Sequence, residues 1–305
     1  MTGRRYDLVH RTTYVYADVV TDSYGRTTMT PRDVPGQTCI DTVVEISPAP
    51  ADTAAHVDYF GNRTTYFGVT TPHTTLVVTA RSTIEVTRPT PSAESLPRVG
   101  WQEVARRVAA GDVDRLDPDL ADLREAVLPS AHVTLVDEVR EWAAPTFAED
   151  KPLADVLVEL AHRIRTELAY RSGSTTVHTT QAQLLAQKAG VCQDFAHLMI
   201  AALRLHGLPT RYSSGYIETR PAPGREKLRG ADASHAWVSA WIPGAGWIEV
   251  DPTNDQLVND QYVLLGWGRD YDDVPPLRGV IFTEGSGSQL KVAVDLAPAG
   301  SPRFA

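Results

Sequence analysis

The order in which the hydrophobic period changes along the chain constrains the fold more than any other feature. From Leu76 to Thr87, the residues Leu76, Val78, Ala80, Ile84 and Val86 fall on one face, with Thr79, Arg81, Thr83, Glu85 and Thr87 on the other. That period of two is the signature of a half-buried strand. Ile40, Val44 and Ile46 show the same period, and Phe60-Gly61-Asn62-Arg63 reads as a hairpin turn. Threonine, frequent here, suits a pleated surface. Residues 1–88 therefore read as an antiparallel β-domain, a small sandwich. Cys39, beside Thr38 and Ile40, reads as a packed core thiol. Residues 89–100, with Pro89, Pro91 and Pro97 among Ser and Glu, read as a linker.

Helical spacing follows. Trp101, Val104, Ala105 and Val108 share one helix face. Leu153, Val156, Leu157, Leu160, Ala161, Ile164 and Leu168 form an apolar stripe over about four turns. A third helix starts near Cys192, turns Phe195, Leu198, Ala202 and Leu205 inward, and stops at Gly207-Leu208-Pro209. The period then returns to two at Tyr212 to Glu218, Ala233 to Ile242 and Gly246 to Asp251. Helices first and strands after, without βαβ alternation, predict an α+β core over residues 101–285. Residues 286–305 read as a tail in which Gln289 to Leu296 alternates as an edge strand. There is no internal repeat.

The chain has 305 residues, enough for two domains, and a net charge of −9. That balance, without a basic run, argues against a nucleic-acid or anionic-membrane partner. No stretch of about 18 apolar residues is present. Arg4 and Arg5 have no apolar run behind them, so the start does not read as a secretory signal. Two cysteines, Cys39 and Cys192, make no disulfide framework. The expectation is a soluble, cytoplasmic protein, its oligomeric state unreadable.

One segment carries chemistry. Gly190-Val191-Cys192-Gln193-Asp194-Phe195 leads from a glycine turn into an amphipathic helix with cysteine in its first turn. Free N–H groups and the positive end of the helix dipole stabilise a thiolate there. The backbone N–H of such a cysteine also points at the carbonyl under attack. Taken alone, the segment is equally a buried cysteine at a helix start. A thiolate enzyme needs a base, and Ser234-His235-Ala236-Trp237 opens a strand. The base needs an orienting partner, and Trp247 to Asp251 is a second strand ending in Asp-Pro. If the three-residue connection Pro243-Gly244-Ala245 pairs Ile242 with Gly246, Asp251 becomes the diagonal neighbour of His235 on one face. A four-residue loop would turn Asp251 to the other face.

Gly190 to His197, Ser234-His235-Ala236-Trp237 and Asp251-Pro252-Thr253-Asn254 resemble the three core motifs of bacterial transglutaminase-like proteins. Gly268-Arg269-Asp270-Tyr271 with Pro276 to Val280 is similar to a stretch near the end of that core, and Tyr6 to Val86 resembles the β-domain before it. The resemblance implies a papain-like α+β core with Cys192 as nucleophile, His235 as base and Asp251 as orienting carboxylate. It implies acyl transfer on amide bonds through a thioester, with a protein or peptide carrying amide or glutamine groups as substrate and no cofactor. Hydrolysis is the favoured outcome, and amine transfer and a silent scaffold are the alternatives. A second oxyanion donor is open between Tyr170, Gln181 and Gln187.

Other features have blander readings. His197, five residues after Cys192, and His206 lack metal-ligand spacing, so no metal is expected. Trp237, Trp241 and Trp247 read as core packing before groove lining. Asp194 suits the helix dipole. Arg269 and Asp270 read as an ion pair or loop anchor. Pro221 to Gly230 reads as a loop gating the groove.

Overall fold

The structure is a computed structural model and describes residues 3–89, 91–114, 118–219 and 234–300. The first sheet uses β1 (Arg4–Thr27), β2 (Gln37–Ser47), β3 (Asp52–Val57), β4 (Arg63–Val69) and β5 (His73–Val86). Its organiser is β1. The first half of β1 pairs antiparallel with β5, the register slips between Val15 and Val20, and the second half pairs with β4. A slip in one long shared strand lets the sheet curl on itself. Phe67 and Val69 of β4 thereby share a core with Leu76, Val78 and Ala80 of β5, the face that alternation turns inward. The hairpin read at Phe60 to Arg63 joins β3 to β4.

Two local expectations about β2 fail for one reason. A bulge between Cys39 and Asp41 shifts its register against β5, and an extra residue reverses which side chains face inward. Ile40 is 48 % exposed, and Cys39 is half-buried on the outermost strand rather than in the core.

Among the described residues, six α-helices follow: α1 (Trp101–Ala110), α2 (Leu120–Glu125), α3 (Asp137–Ala143), α4 (Leu153–Glu167), α5 (Gln181–Gln187) and α6 (Cys192–Arg204). The α4 stripe is buried throughout, from Leu153 to Ile164, with Leu168 just beyond it. It packs with Val104, Val108 and the apolar side chains of α6 into one cluster. From Phe195 to Arg204, α6 is buried on every side, as a helix sandwiched between other helices and a sheet must be. Two short parallel strands, β6 (Ala169–Tyr170) and β7 (Ala189–Gly190), lie just before its first residue and put Tyr170 beside Gly190.

The second sheet has the order β11-β10-β9-β8-β12, from β8 (Thr210–Ile217), β9 (Ser234–Ile242), β10 (Gly246–Asp251), β11 (Gln256–Leu257) and β12 (Tyr262–Gly268). Ala236, Val238 and Ala240 of β9 turn into the same cluster as α6, and small residues there let the helix approach. This is an α+β core with a cysteine-bearing helix on an antiparallel sheet.

The chain then returns to the first sheet. β13 (Leu277–Thr283) pairs with the second half of β1, and β14 (Ser288–Pro298) with the first half. The alternation read at Gln289 to Leu296 thus belongs to an eleven-residue strand. Residues 277–283, expected at the end of the core, form a strand of the first sheet. Strand pairing is set by partners distant in sequence, which a local pattern does not name.

The two sheets are fastened together. Tyr6, Leu8, Ile84 and Val86 share a buried cluster with Tyr216, Val263 and Leu265 of the second sheet and with Val294 and Leu296. β12 is an edge strand, and two side-chain amides from the first sheet cover it. Gln37 donates to the Leu264 carbonyl and accepts from its N–H, both at 2.8 Å. Asn62 does the same with Trp267, at 2.8 and 3.0 Å. Paired edge groups are no longer a template for another strand.

Candidate active site

Three elements bring Cys192, His235 and Asp251 together. Cys192 is the first residue of α6, so its N–H is one of those a helix leaves without an internal acceptor. Gly190 fits its place through lack of a side chain: a Cβ would stand 2.6 Å from Leu184 Cδ1 and 2.9 Å from Asp194 Oδ2. Asp194 Oδ2 accepts from the Val191 N–H at 2.8 Å and from the Thr175 hydroxyl at 2.7 Å. The first-turn acid thus fastens the helix start and the preceding loop.

The hairpin of β9 and β10 takes the odd loop. Ile242 pairs with Gly246 and Val238 with Val250, which puts Asp251 diagonal to His235. His235 Nε2 donates to Asp251 Oδ2 at 2.7 Å. This leaves Nδ1 free of Asp251, and Cys192 is near enough to be among the groups that raise the imidazole's pKa. Asp251 is fully buried and the His235 side chain is 10 % exposed.

The electrostatics follow from this burial. Desolvation, the largest single effect on His235, disfavours its charge. The hydrogen bonds and negative charges of Asp251 and Cys192 outweigh it, and the imidazole is pushed up to about 10. Burial likewise disfavours the Asp251 carboxylate, yet its hydrogen bonds from His235, Asn254 and Tyr262 hold its pKa below the ordinary value. Its Oδ2 accepts from His235, from Asn254 Nδ2 at 2.6 Å and from the Tyr262 hydroxyl at 2.7 Å. Its Oδ1 accepts from the N–H groups of Thr253 and Asn254 at 2.8 and 3.3 Å. Tyr262 is fully buried, its pKa is raised by burial, and Gln256 Nε2 donates to its oxygen at 2.7 Å.

Sequence reasoning missed Tyr262 and Gln256. Tyr262 lies in the apolar alternation of β12, where a tyrosine reads as core. Asn254 had a legible signal, since an Asp followed by a turn commonly caps the N–H groups after it.

Of the three oxyanion candidates, two are committed elsewhere. Gln181 accepts from Thr134 and donates to the His132 carbonyl at 2.7 Å. Gln187 Nε2 donates to the Ala189 carbonyl at 2.8 Å. Tyr170 is half-exposed, edge-on to Phe195, and its pKa is raised by burial and then by the negative charge of Cys192.

The remaining singled-out residues have structural partners. His197 is buried, and its Nε2 accepts from the Tyr271 N–H at 3.2 Å. His206 stacks on Phe147 at 3.6 Å. Among the described residues, no group of three or more His, Cys, Asp or Glu is arranged to hold a metal ion. Trp237 and Trp241 are fully buried, in two different clusters. Arg269 pairs with Asp273 at 3.0 Å rather than with Asp270, and Asp270 accepts from the His132 N–H at 2.8 Å. Pro221 to Gly230 lies outside the described residues.

The chain is similar to known proteins over both of its parts. The family model of the bacterial transglutaminase-like N-terminal region matches residues 6–85, and that of the transglutaminase-like superfamily matches residues 140–252. An uncharacterized protein of Mycobacterium tuberculosis is 47% identical over 299 residues, covering 96% of this chain and 93% of the relative. A protein-glutamine gamma-glutamyltransferase of Pseudomonas aeruginosa is 31% identical over 121 residues, which is 39% of this chain and 17% of that protein. The solved structure of a candidate cysteine protease from Cytophaga hutchinsonii superposes with a TM-score of 0.74 at 20% identity, over 100% of this chain and 93% of that one. That likeness is one of fold.

Proposed function

Because the chain belongs to the transglutaminase-like superfamily, a cysteine-based catalytic family, and carries the bacterial N-terminal region ahead of the core, we propose that it is a cysteine-dependent acyl-transfer enzyme acting on amide bonds. Cys192 is the nucleophile, His235 the acid and base, and Asp251 the orienting carboxylate. The observation that carries this reading is a buried imidazole hydrogen-bonded to a buried carboxylate, near a cysteine at a helix start. With His235 at about 10, the imidazole carries its proton at neutral pH.

The steps balance without a cofactor. The Cys192 thiolate adds to the amide carbonyl, and the carbonyl π pair moves onto oxygen. The Cys192 N–H and the Tyr170 hydroxyl donate to that oxyanion. As it collapses, the C–N bond breaks and His235 gives its proton to the leaving amine. Neutral His235 then takes a proton from the incoming nucleophile, which attacks the thioester and releases the acyl group. With water the outcome is hydrolysis, the reading we favour because water needs no acceptor site. With an amine it is transfer, which the name of the Pseudomonas relative favours through its glutamine substrate. The substrate is a protein or peptide bearing amide or glutamine groups. Two free thiols suit a reducing, cytoplasmic setting.

The test is the pH dependence of iodoacetamide alkylation in the wild type and in Cys192→Ala, Cys39→Ala and His235→Ala. Labelling that maps to Cys192, persists near pH 6 and vanishes in His235→Ala is the expected result. A Cys192 that stays inert in the folded chain until about pH 9 would leave a scaffold with an idle triad, and the proposal would fail.

A further inference from the structure

The face of the second sheet turned away from α6 closes a cavity of about 510 Å³, between the hairpin of β9 and β10 and the segment that follows β5. Its wall is largely apolar, with Val34, Pro89, Trp247, Leu264 and Trp267 among the lining residues. Two guanidinium groups, Arg88 and Arg211, and one carboxylate, Glu249, also line it. The carboxylate is already used. Its oxygens accept from Arg88 Nη1 at 2.7 Å and from Trp237 Nε1 at 2.8 Å. Arg88 Nε is buried without an acceptor.

Arg211 has no such partner. Its guanidinium lies 3.8 Å from the centre of the Trp247 ring and 4.9 Å from that of Trp267. Among the described residues, it makes no hydrogen bond or ion pair. Burial pushes it down to about 10, against the pull of Asp122 and Glu125 and with Arg32 adding to the push. Those two acids line a separate, smaller cavity on the other side of Arg211, and Glu125 accepts from the Tyr59 hydroxyl. On the larger side, Arg88 and Arg211 face one carboxylate, Glu249, which is hydrogen-bonded to Arg88 and Trp237 and not to Arg211.

A guanidinium carries five N–H donors in a flat fork, and stacking on tryptophan fixes the plane while leaving the edge open. A half-buried charge without a counter-charge is costly, and an anion relieves that cost. An apolar cavity with a few convergent donors at a junction between units is the usual form of a small-molecule site. Carboxylate is the flat, two-oxygen group that matches the fork. We propose that this cavity binds a small carboxylate with an apolar or aromatic body, its two oxygens on Arg211 and its body against Trp247. The proposal stands apart from the chemistry assigned to Cys192.

Phenylacetate is a suitable probe, titrated into the full chain at low salt with tryptophan fluorescence and calorimetry as readouts. Saturable binding is expected. Phenylacetamide, the same shape without the charge, should bind about tenfold or more weaker. Arg211→Lys, which keeps the charge and loses the fork, should weaken phenylacetate about tenfold, and Arg211→Gln should abolish binding. The acid–amide comparison needs only wild-type protein, so it stands even where a variant misfolds. Equal affinity for acid and amide overturns the proposal, as does unchanged binding in folded Arg211→Gln. Tighter binding of phenyl phosphate than of phenylacetate overturns the carboxylate assignment. Absence of saturable binding below about 10 mM overturns the site and leaves Arg211 as a rung between two tryptophans.

Discussion

Asp251 governs the site because every polar group around it donates to it. Three donors converge on Oδ2 and two on Oδ1, so the carboxylate is held ionised and the imidazole finds a fixed negative charge. Asp251→Asn keeps the shape and removes the charge. The largest hydrogen-bond support for the His235 proton disappears, desolvation then dominates, and the imidazole falls from about 10. Alkylation of Cys192 at pH 6 is expected to slow about tenfold or more, with a smaller loss at pH 9. Tyr262→Phe should act in the opposite direction. A donor to Oδ2 drains charge that His235 otherwise feels, so its removal makes Asp251 more basic and moves the imidazole upward. It also leaves Gln256 Nε2 without its acceptor, at a cost of about 1–3 kcal/mol of stability. Titration of the His235 ring by NMR reads both variants, and shifts of the same sign in the two would refute this account. Acyl transfer should decline as pH rises through about 10, where His235 loses the proton it gives to the leaving amine, while thiol alkylation does not.

At the scale of elements, the helix start is the piece that cannot be altered cheaply. Gly190→Ala puts a Cβ against Leu184 and the Asp194 carboxylate, so either α5 or the cap of α6 must move. A loss of about 1–3 kcal/mol is expected in urea unfolding, together with slower Cys192 alkylation in the folded variant. An unchanged alkylation rate would mean that the cap and the nucleophile are independent. These elements were the legible part of the sequence. The α4 stripe, the α6 start and stop, and the loop that sets the register of β9 and β10 are local patterns, and local patterns survive folding. The partners of β1 were not legible, since β13 and β14 arrive from 250 or more residues away and nothing in their alternation names a partner. The bulge at Ile40 escaped for a related reason: one extra residue changes a face without changing the composition of the strand. Of the candidate site, the meeting of His235 with Asp251 was legible through the hairpin register. Tyr262 was not, because a buried tyrosine donating to a carboxylate looks, in sequence, like a tyrosine packed in a core.

At the scale of the whole molecule, among the described residues, burial lowers His10, His197 and His206 below the ordinary histidine value, the first two most strongly. His10 lies between the sheets, its Nδ1 2.6 Å from the Tyr216 hydroxyl, and desolvation lowers it to about 4. His197, under the loop at Tyr271, is lowered to about 3, desolvation again being the leading cause. A histidine depressed in the fold binds its proton more readily once unfolded. Its contribution to stability is intact above the ordinary value of 6.5 and is lost as pH falls from there through about 4 for His10 and about 3 for His197. Each group should cost about 1.4 kcal/mol per pH unit within that window. Between pH 6.5 and 5 most carboxylates remain ionised, so the histidines dominate the slope. Urea unfolding across that range should show stability falling with acid. His10→Gln and His197→Gln should each remove about one proton from the uptake on unfolding at pH 5. Equal slopes in the wild type and both variants would mean that these histidines are protonated in the native state, and that the contact between the sheets is not what limits stability in acid.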